Sequence, residues 1–306
     1  MKSIFIDCNS QLAPVFARVR RGDDPPIAVN TEAFQSADLP RLLAGYDVCL
    51  DDHSYLPTAA MASCGGLKHV VFLGTGASSY MDVAALNALG ITVHTITGYG
   101  DTAVAEHAVA LMFACCRELA RMDRAVRAGV WEPLESMQLK DKTLGLIGLG
   151  GIGLEVARIA RGIGMRVIAW NRSPRPEAGV PLLGLDELLA TADVISLHLA
   201  LNEETRGLID AARFARMKPG VIFVNTARAA LVDEAALLVS LANGRIRHAG
   251  LDVFHAEPLR PDHPLARMEN VTLTAHAGFR TLEASETLMR RAIDIVRGIA
   301  AAPASP

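Results

Sequence analysis

At 143–153 the chain reads TLGLIGLGGIG, an apolar segment running straight into Gly148-x-Gly150-x-x-Gly153. No other feature restricts the fold as tightly. Glycines at this spacing let a backbone turn sharply and approach a pyrophosphate. The helix opening at Gly151-Ile152 then offers free N–H groups and the positive end of its dipole. Glycine-rich turns are common, so the motif counts only in context. Here an apolar strand precedes it and a helix-patterned stretch, 154–163, follows. This predicts a dinucleotide cradle made by Gly148, Gly150, Gly151, Ile152 and Gly153. The motif starts almost halfway along the 306 residues, so the residues before it need another job.

The rest of the chain alternates in the same way. Short buried strands are expected at 3–6, 48–50, 69–73 and 92–95, with helices at 39–43 and 81–89, the latter stopped by Gly90. A long helix is expected over 102–122. A second strand series follows at 143–148, 166–170, 194–199, 221–225, 250–253 and 271–274, and an amphipathic helix at 281–299 closes the chain. Strands alternating with helices mean parallel sheets with crossover connections. The fold expected is therefore α/β, with two doubly wound parallel-sheet domains, the second a Rossmann dinucleotide-binding domain. A hydrophobic content of 51% against 21% charged residues fits a packed globular protein. The net charge of −3 gives no electrostatic case for nucleic acid or an anionic membrane.

Charges break every apolar run before it reaches membrane-spanning length. Cys8, Cys49, Cys64, Cys115 and Cys116 lack metal spacing and read as reduced thiols of a cytoplasmic protein. Asp51-Asp52-His53 lacks a fourth ligand and reads as a surface cluster, so no metal is expected. His107, behind Glu106, reads as packed at a helix interface, and His198 as packing near the adenine end of the cradle.

In such cradles an acidic residue about 20 positions after the glycines accepts hydrogen bonds from the adenosine ribose. Here the second strand ends in Asn171-Arg172-Ser173-Pro174-Arg175, with no carboxylate. Asn171, Arg172 and Ser173 can donate to a 2′-phosphate, and an arginine can do so with two parallel bonds. The expectation is NADP(H), with NAD(H) as the alternative.

Three polar residues follow expected strand ends: Arg228 in NTAR, Glu257 in AEPL and His276 in TAHAG. Each alone fits a structural role, as a cap, a turn acid or a core histidine. In order behind a nucleotide motif, they make chemical sense together. A histidine moves a hydroxyl proton while hydride leaves or reaches the carbon. A carboxylate orients that histidine and stabilises its imidazolium, and a guanidinium grips a 2-oxo acid.

With these motifs in place the chain resembles the D-isomer-specific 2-hydroxyacid dehydrogenase family, which includes glyoxylate/hydroxypyruvate reductases and phosphoglycerate dehydrogenases. The matching stretches are LGTGASSYMD (73–82), AVAEHAVALMF (103–113), GLIGLGGIG (145–153), NTARAALVDEAAL (225–237), AGLDVFHAEPL (249–259) and LTAHAG (273–278). The resemblance implies a flavodoxin-like substrate domain from 1–98 plus 280–306, and a coenzyme domain over 99–279. It implies that Arg228 binds substrate, Glu257 orients and tunes, and His276 is the general acid/base. Thr226 and Asp252 fall among the cofactor-binding positions, Asp252 on the one that meets the nicotinamide carboxamide. Thr75, Gly76 and Ala77 fall on the loop whose N–H groups hold the substrate carboxylate.

Ala229 stands where the family usually has Gly, and Ala275 where it usually has Pro. The expected reaction is hydride transfer between NADP(H) and a small 2-oxo or 2-hydroxy acid such as glyoxylate or hydroxypyruvate, in a homodimer to which the 102–122 helix contributes. Alternatives are an NAD(H)-dependent enzyme of the phosphoglycerate dehydrogenase type and a nucleotide-sensing, corepressor-like binding protein.

Overall fold

A strand buried at every position has no wet face and must be covered by helices on both sides. Val48–Asp51, Thr143–Ile147, Val194–Leu197 and Val221–Asn225 are all of this kind. They form the middles of two parallel sheets. The computed structural model describes residues 1–173 and 179–302; Pro174 and Arg175 of the expected phosphate loop lie outside the described residues.

The first elements are β1 (Ser3–Phe5), α1 (Leu12–Val19), β2 (Ile27–Val29), α2 (Leu39–Leu42), β3 (Val48–Asp51), α3 (Thr58–Met61), β4 (His69–Phe72), α4 (Val83–Ala88) and β5 (Thr92–Thr95). Next come α5 (Asp101–Cys116), α6 (Leu119–Arg127), β6 (Thr143–Ile147), α7 (Gly151–Gly162), β7 (Arg166–Trp170), α8 (Leu185–Thr191) and β8 (Val194–Leu197). The chain continues through α9 (Ala211–Arg216), β9 (Val221–Asn225), α10 (Glu234–Ala242), β10 (Ile246–Leu251), α11 (Pro264–Arg267), β11 (Val271–Leu273) and α12 (Leu282–Ala301). Local signals set many of the starts. Asp82, Asp210, Asp233 and Thr281 each accept a backbone N–H three residues on, as N-caps do.

The chain divides into two compact units, Met1–Gly100 joined by the chain from Thr281 onward, and Asp101–Arg280. In the first, the sheet order is β2-β1-β3-β4-β5, the flavodoxin-like order. One face packs Leu39, Leu56, Met61 and Leu86. The other packs Phe16 of α1 and Leu288, Met289, Ala292, Ile293 and Val296 of α12. At roughly 1.5–3 kcal/mol for each large apolar side chain buried, that stripe ties the end of the chain to its beginning.

In the second unit the order is β11-β10-β9-β8-β6-β7. An isolated parallel bridge, Ala169↔Leu182, adds a strand position beyond β7. The crevice where the strand order reverses lies between β6 and β8, at the end of which the glycine turn sits. Helices α5 and α7 cover one face and α8 to α10 the other.

Three expectations need correcting. The helix expected over 102–122 breaks at Glu118, whose φ of 53° is left-handed, leaving α5 and α6. The break turns the Glu118 side chain inward to the fully buried His248, at 3.1 Å from Nδ1. The strand expected at 250–253 runs instead over Ile246–Leu251. Asp51 and Asp52 are buried, not on the surface, at 0% and 7% exposure. Asp7 takes the Asp52 and His53 N–H groups, and Ser54 N–H goes to Asp51. Among the described residues no cluster of His, Cys, Asp or Glu is arranged to hold a metal ion, and no helix is long and apolar enough to cross a membrane.

Candidate active site

The glycine turn is shaped by close packing. Gly148 has φ +106°, and a Cβ there would overlap the carbonyl of His198 at the end of β8. A Cβ at Gly153 would overlap the carbonyl of Gly148. At Gly150, by contrast, a Cβ would point into open space, which is where a phosphate needs room. Gly151 opens α7, and a Cβ there would run into the Asp101 carboxylate, the first residue of α5. That anion lies against a helix N-terminus, where negative charge is favoured. Thr226, just past β9, has a buried hydroxyl with no hydrogen-bond partner among the described residues. An orphaned hydroxyl, open space at Gly150 and a helix N-terminus all fit a bound dinucleotide.

Asn171 follows β7 directly and latches this turn: its Oδ1 accepts the Leu149 N–H at 3.1 Å and its Nδ2 donates to the Ser173 carbonyl at 2.6 Å. Arg172 pairs with Glu204, both well exposed. An exposed pair of this type is worth about 0–1 kcal/mol and yields readily to a stronger anion. Burial lowers the pKa of His198 to about 4, so its ring is neutral; Ser196 Oγ sits 2.9 Å from its Nε2. Packing, as expected from the sequence, is its role in the fold.

Asn225, Leu251 and Leu273 stand side by side in register at the ends of β9, β10 and β11. The segments carrying Arg228, Glu257 and His276 therefore leave one sheet edge from neighbouring strands. His276 Nδ1 donates to Glu257 Oε2 at 2.7 Å, while Glu257 Oε1 accepts the Phe254 N–H at 2.9 Å. Both carboxylate oxygens are thus committed, and the imidazole presents Nε2 as its remaining nitrogen. A cavity of about 590 Å³ opens here, lined by Phe254, Glu257, Leu259, Thr274 and His276 among others. Arg228 is half-buried; its backbone carbonyl is held by Asn225 Nδ2 at 3.0 Å, and its Nη1 donates to the Ala227 carbonyl at 2.7 Å.

Asp252 lies beneath the histidine turn. It is 1% exposed, and its carboxylate accepts the Ala277 and Gly278 N–H groups, each at 2.9 Å, and the Thr274 hydroxyl at 2.6 Å. Burial alone would raise its pKa, but hydrogen bonds from His107, Thr274 and the two amides outweigh burial and hold it below the ordinary carboxylate value. These bonds make Asp252 the anchor of the His276 turn, a role the sequence motif did not reveal. His107 reaches the same group from α5, which sequence reading gave only as packing.

In the first unit, Thr75, Gly76 and Ala77 follow β4 and open a short 3-10 turn, Ala77–Ser79. The Gly76 and Ala77 carbonyls accept from Ser79 and Tyr80, so the turn is held from its C-terminal side.

Residues 109–278 match the family model for the D-isomer specific 2-hydroxyacid dehydrogenase NAD binding domain. A hydroxypyruvate reductase of Thermotoga maritima is 38% identical over 280 residues, 89% of this chain and 90% of that protein. A D-3-phosphoglycerate dehydrogenase of Archaeoglobus fulgidus is 41% identical over 224 residues, 71% of this chain; the chain spans only 42% of that longer relative. The solved pyruvate reductase of Chlamydomonas reinhardtii superposes with a TM-score of 0.87 at 28% identity, covering 100% of this chain and 98% of that one. The chain belongs to the D-isomer-specific 2-hydroxyacid dehydrogenase family.

Proposed function

We propose that the protein reduces a small 2-oxo acid of the glyoxylate or hydroxypyruvate type to its 2-hydroxy acid, with NADPH preferred over NADH. The observation that carries this reading is the 2.7 Å His276–Glu257 pair, both members of which line the cavity beyond β10 and β11. A nicotinamide, when bound, supplies the hydride. His276, protonated and with Nδ1–H held by Glu257, gives its Nε2 proton to the carbonyl oxygen, and the Glu257 carboxylate stabilises the imidazolium before transfer. Arg228 grips the substrate carboxylate and polarises the carbonyl. Gly148, Gly150, Gly151, Ile152 and Gly153 hold the pyrophosphate, Thr226 contributes to the cofactor site, and Asp252 meets the nicotinamide carboxamide. In the first unit, Thr75, Gly76 and Ala77 offer backbone amides to a carboxylate.

The preference for NADPH rests on the absence of a carboxylate at the end of β7 and on the donors Asn171, Arg172 and Ser173. Similarity to the Archaeoglobus protein favours a second reading, an NAD(H)-dependent enzyme for a phosphorylated 2-oxo acid. A homodimer is supported by exposed apolar side chains along α5, α6 and the segment after them: Phe113, Leu119, Val126, Val130 and Trp131. Five unpaired, buried cysteines support a reducing, cytoplasmic location.

The test is a panel of 2-oxo acids, including 3-phosphohydroxypyruvate, assayed for NADPH and NADH oxidation. Glyoxylate or hydroxypyruvate with NADPH is expected to give the highest kcat/KM. Preference for NADH overturns the cofactor assignment, and preference for the phosphorylated acid overturns the substrate assignment. His276→Ala is expected to lower kcat by about 10²- to 10⁴-fold while the Kd for NADPH stays near wild type; turnover at the wild-type rate overturns the acid–base assignment.

A further inference from the structure

His107 projects from α5 onto the underside of the His276 turn. Its Nε2 lies 2.9 Å from Thr274 Oγ1 and 3.4 Å from Asp252 Oδ1. The single Thr274 hydroxyl proton is directed to Asp252 Oδ1, at 2.6 Å. Thr274 Oγ1 therefore faces His107 with lone pairs, and the hydrogen at that contact belongs to His107 Nε2. The ring also backs onto the turn itself: a Cβ added at Gly278 would sit 3.4 Å from His107 Cδ2 and 3.1 Å from Asp252 Oδ2.

Asp252 in turn holds three successive residues of the turn. Its backbone carbonyl accepts the His276 N–H at 2.9 Å, and its two carboxylate oxygens accept the Ala277 and Gly278 N–H groups. His276 has φ +51°, a left-handed conformation that a side chain other than glycine does not adopt for its own sake. Such a residue persists only where its surroundings over-determine it. Asp252 supplies that determination, and His107 is a side-chain donor that fixes where the Asp252 carboxylate sits.

We propose that His107 is a positioning residue for the reaction: by donating from Nε2 to Thr274, with Asp252 Oδ1 beside it, it fixes the carboxylate that holds His276 in its left-handed turn facing the substrate. The inference rests on His276 being the general acid/base. His107 acts through Asp252 on the aim of a proton donor, so its loss falls on kcat more than on KM or on cofactor affinity. A misplacement of about 1 Å at a reacting group costs on the order of 10²-fold in rate.

The test compares His107→Gln with His107→Asn, both neutral amides that differ by one methylene, beside His276→Ala as reference. Glutamine places an amide N–H where His107 Nε2 sits; asparagine is one carbon too short to reach Thr274. Steady-state kcat and KM on the best 2-oxo acid, and the Kd for NADPH by fluorescence titration, are measured for each. His107→Asn is expected to lose about 10²-fold in kcat with KM and Kd little changed, and His107→Gln to regain most of that loss. Wild-type kcat in His107→Asn, or an equal loss in both variants, overturns the proposal. If His276→Ala itself keeps wild-type turnover, the acid–base assignment falls instead, and the role of His107 with it. Inactive His276→Ala beside fully active His107→Asn sinks only the positioning role.

Discussion

A carbonyl oxygen decides what can stand at position 148. The backbone of Gly148 runs at φ +106°, and the His198 carbonyl occupies the place of any Cβ. Gly148→Ala therefore meets both a backbone conformation closed to L-residues and a rigid main-chain neighbour that cannot swing aside. The variant is expected to lose nicotinamide-cofactor binding by at least about tenfold, because the turn must open to admit the methyl group; fluorescence titration showing wild-type affinity would refute the account. Gly151 differs, since its neighbour is the movable tip of Asp101. At His276 the same left-handed region is occupied by a residue with a side chain, held there by the Asp252 hydrogen bonds. The left-handed region is thus met by glycine at the first turn and, at the second, by a histidine held in place by Asp252.

Among the elements, α12 carries the most distant obligation, because it closes the sheet with which the chain begins. Asp24 receives Arg290 at 2.7 Å and Arg297 at 2.6 Å, and its side chain has no exposed surface. The Arg290 hydrogen bond leads in holding its pKa far below the ordinary 3.8, with burial opposing it and the Arg21 N–H and Arg297 reinforcing it. A depressed carboxylate pKa stabilises the fold in full above the unfolded value, and the contribution is lost as pH falls towards the folded value. Asp24→Asn leaves two guanidinium groups short of their counter-charge and is expected to cost about 3 kcal/mol near neutral pH. Thermal unfolding followed by circular dichroism checks this: the gap between wild type and variant should narrow at about pH 3, and a gap independent of pH would rule out the ion pair as its source.

How far these elements could be read in the sequence follows their chemistry. The central strands were legible because they are buried on both faces and read as unbroken apolar runs. β2 was missed: it is a three-residue edge strand behind Pro25-Pro26, with two exposed positions. β10 was started late because Arg247 and His248 look like loop residues until Glu118 is brought onto them from the break after α5. The same long-range pairing hid the break itself, since the apolar stripe runs on past Arg117. The Glu257–His276 contact was legible from order and spacing; the hydrogen bonds of His107 and Asp252 were not, because they join α5 to the end of β11.

At the scale of the whole molecule, an 88% exposed Trp131, beside half-exposed Val130 and Val126, leaves apolar surface on the second unit, the face assigned to the proposed homodimer. Trp131→Glu is expected to shift the assembly from dimer to monomer in light scattering coupled to gel filtration; a monomeric wild type would remove the need for a partner there. The chain passes between its two units twice, after Gly100 and after Arg280. At the first passage Asp101 lies on the opening turn of α7, and at the second the Arg280 N–H donates to the Ala277 carbonyl, one residue past His276. The covalent joints therefore begin at residues that touch the glycine turn and the turn carrying His276. A substitution at either passage thus acts on the glycine turn or on the His276 turn and not on a linker alone.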